Sequence, residues 1–307
     1  MKPPHTNERR TNMLTGLLLG AGASYECGMP TAWELTHSMR AIATPDMLRG
    51  KNSRSRAVNS SLGFPDHFVE ELIALLSIND MHYESVIGNL EVKYRRHGGR
   101  GDGQHYHGLK QDLTELVYFI LLDRHQRQAQ LLPAYMRFLD GIVGLASANR
   151  PLWIFSLNHD LLIEGVAASY GVPLNSGFSA KTSLPLPAPE GQIDQLDAEL
   201  LTSDEIRNTG LIFSYTEPGI NLLKLHGSLD IFSIRDEWGH IKLLPTSPNA
   251  EGVLNSVLIA NGGLQHKLPH ALRWTPETGQ VAKRESCLGA AVRPRVRHDQ
   301  YAKETRP

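Results

Sequence analysis

The sequence predicts an α/β fold: a parallel sheet whose strands end in chemistry, carrying a helical insertion. Three observations predict it. Short apolar runs occur at residues 17–19, 152–155 and 220–223, each of a length suited to a buried strand. Each run passes into small or polar residues: Gly20-Ala21-Gly22-Ala23-Ser24, then Ser156-Leu157-Asn158-His159-Asp160, then His226-Gly227-Ser228. Between the first and second runs, residues 66–149 repeat apolar positions at helical spacing. Ligands of open parallel α/β sheets bind beyond the carboxyl ends of the strands, so Gly20, Asn158, Asp160 and His226 are expected to converge on one crevice. The expected architecture is a Rossmann-like parallel sheet with a helical insertion.

In chain order, the polar residues 1–13 read as a loose arm. The main domain is expected over 14–245, with the insertion at about 66–149, and a C-terminal tail over 246–307. The glycines after Leu19 sit at a turn between a strand and a helical pattern. Residues without bulky side chains there let backbone N–H groups approach a phosphate, and a helix N-terminus adds partial positive charge. A tight strand-to-helix turn with no ligand is the alternative, because Tyr25 stands where a dinucleotide fingerprint has its third glycine. Gly28-Met29-Pro30-Thr31 then gives a loop long enough to fold over a ligand.

A helix is expected from Thr31 to about Ala43, since Thr31 and Glu34 have the spacing of a capping box. Residues 44–65 lack a period and read as a surface loop. In the insertion, Phe68, Leu72, Leu75 and Leu76 form one stripe. Leu113, Leu116, Val117, Ile120 and Leu121 form a second, and Leu132, Tyr135, Met136 and Leu139 a third; together they read as helices packing on themselves. The glycine-rich stretch around His97, His105 and His107 reads as a solvated loop rather than a metal site, and no metal is expected. Residues 151–156 form the second strand, 159–169 a helix and 171–178 a short extended piece. Prolines 185, 187 and 189, followed by acidic residues, make 179–219 an excursion outside the sheet, either a lid or a surface insertion. Residues 229–234 and 240–244 read as a hairpin. Beyond Pro245 strand signals are few and the end is basic, with Lys283, Arg284, Arg293, Arg295 and Arg297.

With 307 residues, 41% of them hydrophobic and 21% charged, the chain can bury a substantial core. A net charge of −1 gives no global attraction to nucleic acid or an anionic membrane, and direct nucleic-acid contact is not expected. The two cysteines, Cys27 and Cys287, make no disulfide framework. No apolar run has the length of a membrane span, and the N-terminus is not signal-like, so a cytoplasmic location is expected. Cys27 lacks an evident base and is a weak nucleophile candidate. Asn158 and Asp160 could each do no more than cap the helix that follows. Ser24 and Ser228 are either phosphate or ribose donors or turn-closing hydroxyls. Trp33 is expected on the core face of its helix.

GAGAS with G-M-P after it, then S-L-N-H-D, then K-L-H-G-S, in this order across about residues 14–232, resembles the sirtuin-like NAD-hydrolysing family, relatives of the NAD-dependent sirtuin deacylases. The resemblance implies NAD as substrate, held by Gly20, Ala21, Gly22, Ala23, Ser24, Gly28, Pro30, Thr31, Ser156, Gly227 and Ser228. It implies that Asn158 orders the nicotinamide ribose and the attacking water, that Asp160 meets the nicotinamide carboxamide, and that His226 is the general base. Imidazole suits that role because it exchanges protons at working pH.

The departures from the deacylases point to the hydrolase branch. Two cysteines cannot make their four-cysteine zinc module. Pro30-Thr31-Ala32-Trp33 stands for their Pro-Asp-Phe-Arg, and the second motif keeps only Asn and Asp of Thr-Gln-Asn-Ile-Asp. A strand ending in Gly-Tyr-Ser or Gly-Thr-Ser is missing after His226. The resemblance implies a gated activity, commonly a bacterial antiviral effector that depletes NAD, switched on by homo-oligomerisation or by a protein partner. The alternatives are a deacylase or ADP-ribosyltransferase on the same scaffold, or a module that senses NAD or ADP-ribose without chemistry.

Overall fold

The computed structural model describes residues 16–60, 62–128, 131, 140–147, 151–178, 180–187, 193–202, 213, 217–234, 239–260 and 272–274. The N-terminal arm, the stripe at 132–139 and the basic residues beyond 280 lie outside them. The protein is a mixed α/β structure with two sheets. The first has four strands, all parallel, in the order β1 (Gly16–Leu19), β2 (Pro151–Ser156), β6 (Gly219–Lys224), β3 (Leu174–Asn175). The three chemistry-bearing strands are thus neighbours, with Leu19, Ser156 and Lys224 level at their carboxyl ends.

The second sheet has five strands, β4 (Ala180–Pro187), β5 (Ile193–Thr202), β8 (Gly239–Leu243), β7 (Ile231–Ile234) and β9 (Leu272–Trp274), every pair antiparallel. The segment 179–219 thus leaves the parallel sheet as expected, and its described residues supply the strands β4 and β5 of this second sheet. The prolines are compatible with a strand because β4 is the edge, where Pro185 and Pro187 interrupt no ladder on the open side. The acidic residues of β5 alternate with buried Leu196 and Ala198, the period of a half-buried strand. The hairpin expected around 229–244 forms as β7 and β8.

Helices α1 (Gly22–Tyr25), α2 (Ala32–Ile42), α3 (Pro45–Val58), α4 (Asp66–Leu76), α5 (Tyr83–Arg96), α6 (Asp102–Gln128) and α7 (Asp140–Ser147) lie between β1 and β2; α8 (Leu162–Tyr170) follows β2 and α9 (Ala250–Ala260) follows β8. The capping box of α2 forms, with the Glu34 amide donating to Thr31 Oγ1 at 3.3 Å and the Thr31 amide to Glu34 at 2.8 Å.

Several expectations need correction. Residues 45–58 are a helix, α3, capped by Thr44 and opened by Pro45 at its first turn. It shows no apolar period because Asn52 is its only buried residue, held by Phe64 through two backbone hydrogen bonds. The histidine-rich stretch is a loop only as far as Gly101, and His105 and His107 lie on α6. Trp33 is 45% exposed, edge-on to His82, rather than in the core. The first strand is not buried either: β1 is an edge among the described strands, and Leu18 is 68% exposed.

Nor do the insertion helices pack only on one another. The largest apolar cluster joins α2, α4, α5 and α6 to Ala198, Phe232, Ile241 and Leu243 of the antiparallel sheet, with the Tyr118 ring 6.2 Å from Phe232. The core also continues past 245, since Val253, Leu254, Val257 and Ala260 of α9 bury into that cluster. A second cluster covers the parallel sheet, where Ile163 and Ala167 of α8 and Ala146 of α7 meet Leu152, Ile154, Ile220 and Leu222.

The C-terminal end of α6 reaches the glycine turn. Gly28 has φ +82°, and a Cβ there would lie 2.5 Å from Gln128 Cγ. Gly28→Ala is therefore expected to destabilise the protein by about 1 kcal/mol or more, from the left-handed backbone and the clash together. A thermal melt checks this.

Candidate functional site

Backbone hydrogen bonds knit the three strand ends. The Leu157 amide donates to Leu19 O at 2.9 Å, the Leu225 amide to Ser156 O at 2.7 Å, and the Leu229 amide to His159 O at 2.9 Å. The expected convergence is therefore present: the glycine turn, the 156–160 loop and the 226–228 loop are side by side.

Asn158 is the side chain that joins two of them. Its Nδ2 donates to Gly20 O at 2.8 Å and to Ser24 Oγ at 3.0 Å. A carbonyl facing the amide nitrogen fixes which way the amide points, because Gly20 O can only accept. Both N–H groups are then committed, and among the described residues Oδ1 accepts no bond, in a side chain that is half-buried. Its own amide is held by Ser156 Oγ at 3.1 Å.

The glycine turn runs into a single helical turn, with Ala23 N–H on Gly20 O at 2.9 Å and Ser24 N–H on Ala21 O at 3.3 Å. Gly20 and Gly22 do not have left-handed φ, and a Cβ built on either meets nothing within 4 Å. Neither backbone conformation nor packing asks for glycine at these positions. Gly28 and Gly227 differ, since φ of +82° and +88° favours glycine whatever is bound.

Other predicted residues serve the scaffold. Ser24 is buried and takes the Asn158 amide. Thr31 is committed to its capping box. Asp160 is buried and its Oδ1 accepts the Leu162 amide at 3.0 Å, so it sets the first turn of α8. Ser228 is buried with its hydroxyl 3.5 Å from Glu164 Oε1. Pro30 links the turn to α2, and Ala21 and Ala23 lie within the turn itself. His226 is half-buried, its ring 6.3 Å from that of His159. Cys27 is buried, and burial, with the nearby Asp160 and Glu26 carboxylates, pushes its thiol up to about 11, which keeps it protonated and unreactive.

Below these loops lies a charged cluster that sequence reading missed. Lys224 at the end of β6 is 3.3 Å from Glu164 on α8, and Lys242 on β8 is 3.9 Å from the same carboxylate and bonded to Asp230. All four are buried. Burial pushes Glu164 up against the pull of both lysines, while Asp230 and Glu164 hold Lys242 above its usual value against burial. His125 on α6 is also buried, within electrostatic reach of Asp160, Lys224 and Asp230, and its Nε2 has no hydrogen-bond partner among the described residues. His159 is buried as well.

Burial pushes both His125 and His159 down to about 4, with Lys224 adding to the effect and, for His159, His226 as well. Between about pH 6.5 and 4 the unfolded chain then binds protons that the folded protein excludes, so stability is full above 6.5 and falls as pH drops through this window. Each shift of this size corresponds to about 3 kcal/mol. A thermal melt series from pH 7.5 to 4.5 is expected to show a steep fall, and His125→Leu is expected to flatten it.

Among the described residues, no group of three or more His, Cys, Asp or Glu is placed to hold a metal ion, and no helix is long and apolar enough to cross a membrane. No model of a known protein family matches the chain, and no curated protein matches it in sequence.

Proposed function

We propose that the protein is an NAD hydrolase built on a Rossmann-like, sirtuin-like core, releasing nicotinamide and ADP-ribose. The observation that carries the reading is the state of Gly20 and Gly22. Among the described residues nothing asks for glycine at either and nothing lies within 4 Å of a Cβ built there, as a pyrophosphate pressing against the backbone would require. Asn158, bonded to Gly20 and with no described residue on its Oδ1, supports the second half of the reading.

In the reaction, the bond between ribose C1′ and the nicotinamide nitrogen breaks and nicotinamide leaves with the electron pair. Water adds its oxygen to C1′ and gives up a proton. Asn158 Oδ1 accepts from that water or from a ribose hydroxyl and fixes its position. His226 takes the proton and returns it to solvent. Asp160 shapes the first turn of α8, where the nicotinamide carboxamide is expected.

A freely active NAD hydrolase would drain its own cell, so the reading includes gating: a bacterial antiviral effector in the cytoplasm, released by self-association or by a protein partner, without nucleic-acid or membrane contact and without a metal. The experiment is nicotinamide release from NAD by the purified protein, with an ADP-ribose binding titration beside it. Release supports the hydrolase. Saturable binding with no release under any activating condition would replace it with the sensing module, and nicotinamide release coupled to acyl-lysine turnover with the deacylase.

A further inference from the structure

The buried cluster under the site has a geometry beyond charge balance. Lys224 Nζ donates to two backbone carbonyls of the 156–160 loop: to Asn158 O at 3.4 Å and, more closely, to Asp160 O. Its counter-charge, Glu164 Oε1 at 3.3 Å, also faces the Ser228 hydroxyl at 3.5 Å, two residues after His226. One ammonium–carboxylate pair therefore grips both loops that carry the predicted chemistry. The same carboxylate is 3.9 Å from Lys242, whose partner Asp230 lies between β6 and β7. Through Lys242 the grip extends to the antiparallel sheet, and so to the helices packed on it.

A buried ion pair is a poor device for stability, because desolvating two charges cancels most of their attraction. Apolar residues of similar volume would hold β6 against α8 as well. They could not hold two carbonyl oxygens in place, and an ammonium with three donors can.

We propose that Lys224 is a positioning residue: its ammonium fixes the backbone on either side of His159, and with it the aim of the Asn158 amide, while Glu164 supplies the charge that lets the ammonium remain buried. The inference rests on the hydrolase reading for its effect on turnover, but the positioning itself has a separate readout. Among the described residues Lys224 bonds to the 156–160 loop and reaches the glycine turn only through Asn158, so its loss acts first on the step at C1′.

The test compares the full-length wild type with Lys224→Met, Glu164→Gln and the double variant. Four quantities are read: melting temperature, ADP-ribose affinity, kcat for nicotinamide release, and amide hydrogen exchange over 156–162. Lys224→Met is expected to lose kcat on the order of 100-fold, the scale of a misplaced reacting group, with ADP-ribose affinity little changed and exchange over 156–162 accelerated. Glu164→Gln, which keeps an acceptor for Lys224 and Ser228 but removes the counter-charge, is expected to melt lower while losing far less turnover than Lys224→Met. The double variant, with both charges gone, is expected to recover melting temperature but neither turnover nor amide protection.

Recovery of turnover and protection together with stability would overturn the proposal, since the pair would then be only a structural counter-charge. Equal loss in Glu164→Gln and Lys224→Met would do the same. If the wild type releases no nicotinamide under any activating condition, the hydrolase reading fails, and the exchange data alone decide the positioning. If Lys224→Met does not fold, Lys224→Arg decides instead: it keeps the cation but moves the donors off the two carbonyls, and unchanged exchange over 156–162 would refute the grip.

Discussion

Asn158→Ala is expected to leave a folded protein that has lost nicotinamide release on the order of 10³-fold, the upper range for removing one preorganised group from a polar site. The variant removes the hydrogen bonds to Gly20 O and Ser24 Oγ, so a stability cost of about 2 kcal/mol accompanies it at roughly 1 kcal/mol each. Asn158→Asp sharpens the test. It keeps size and the free acceptor but turns a carboxylate oxygen toward Gly20 O, which cannot donate. It is expected to fold less well than Asn158→Ala. A circular-dichroism melt and a nicotinamide assay on both variants separate the two roles. Retained release in well-folded Asn158→Ala would remove Asn158 from the chemistry.

The second large effect is expected at Gly22, and with it Gly20. Because a Cβ at either meets nothing within 4 Å and neither φ is left-handed, Gly20→Ala and Gly22→Ala should melt no lower than the wild type. Gly22→Ala, on the first turn of α1, should melt slightly higher through the lower entropy of its unfolded chain. Both should nevertheless weaken ADP-ribose binding by about tenfold or more, a cost of at least 1.4 kcal/mol, because the methyl group stands where a phosphate must meet backbone N–H. Gly28→Ala, by contrast, loses stability for reasons internal to the fold. Unchanged ADP-ribose affinity in a stable Gly22→Ala would mean that the open space above the turn holds no phosphate.

Much of the site's framework was legible in the sequence because it depends on local pattern. The boundaries of β2 follow from the apolar run that stops at Ser156, and the start of α2 follows from Thr31 and Glu34. The meeting of Gly20 with Asn158 follows from placing strand ends together in a parallel sheet. Features that depend on tertiary context were not legible. In a sequence Lys224, Lys242, Glu164 and Asp230 look like ordinary surface charges, and only the pairing of β6, β7, β8 and α8 buries them on one another. His125 was hidden in a helix whose apolar stripe drew attention elsewhere. Pro185 and Pro187 argued against a strand because edge and centre cannot be told apart before the sheet is assembled. Helix α3 was missed because its one buried residue, Asn52, is polar; the signal present was Thr44-Pro45-Asp46, a cap followed by a first-turn proline and an acid.

The hydrogen bond from Asn158 to Gly20 closes a loop of 138 residues, and β1 meets its neighbour β2 only after the whole run of insertion helices has been laid down. Contacts of such separation form late, since the intervening chain must be ordered before they return any free energy. During synthesis the glycine turn leaves the ribosome 138 residues ahead of its fixing partner Asn158, and His226 comes later still. On the proposed reading, a nascent chain halted before residue 158 carries a turn with neither Asn158 nor His226, and one halted between 158 and 226 has the amide without the proton acceptor. For a hydrolase of the proposed kind, the long-range topology delays competence until the residues around His226 have been made.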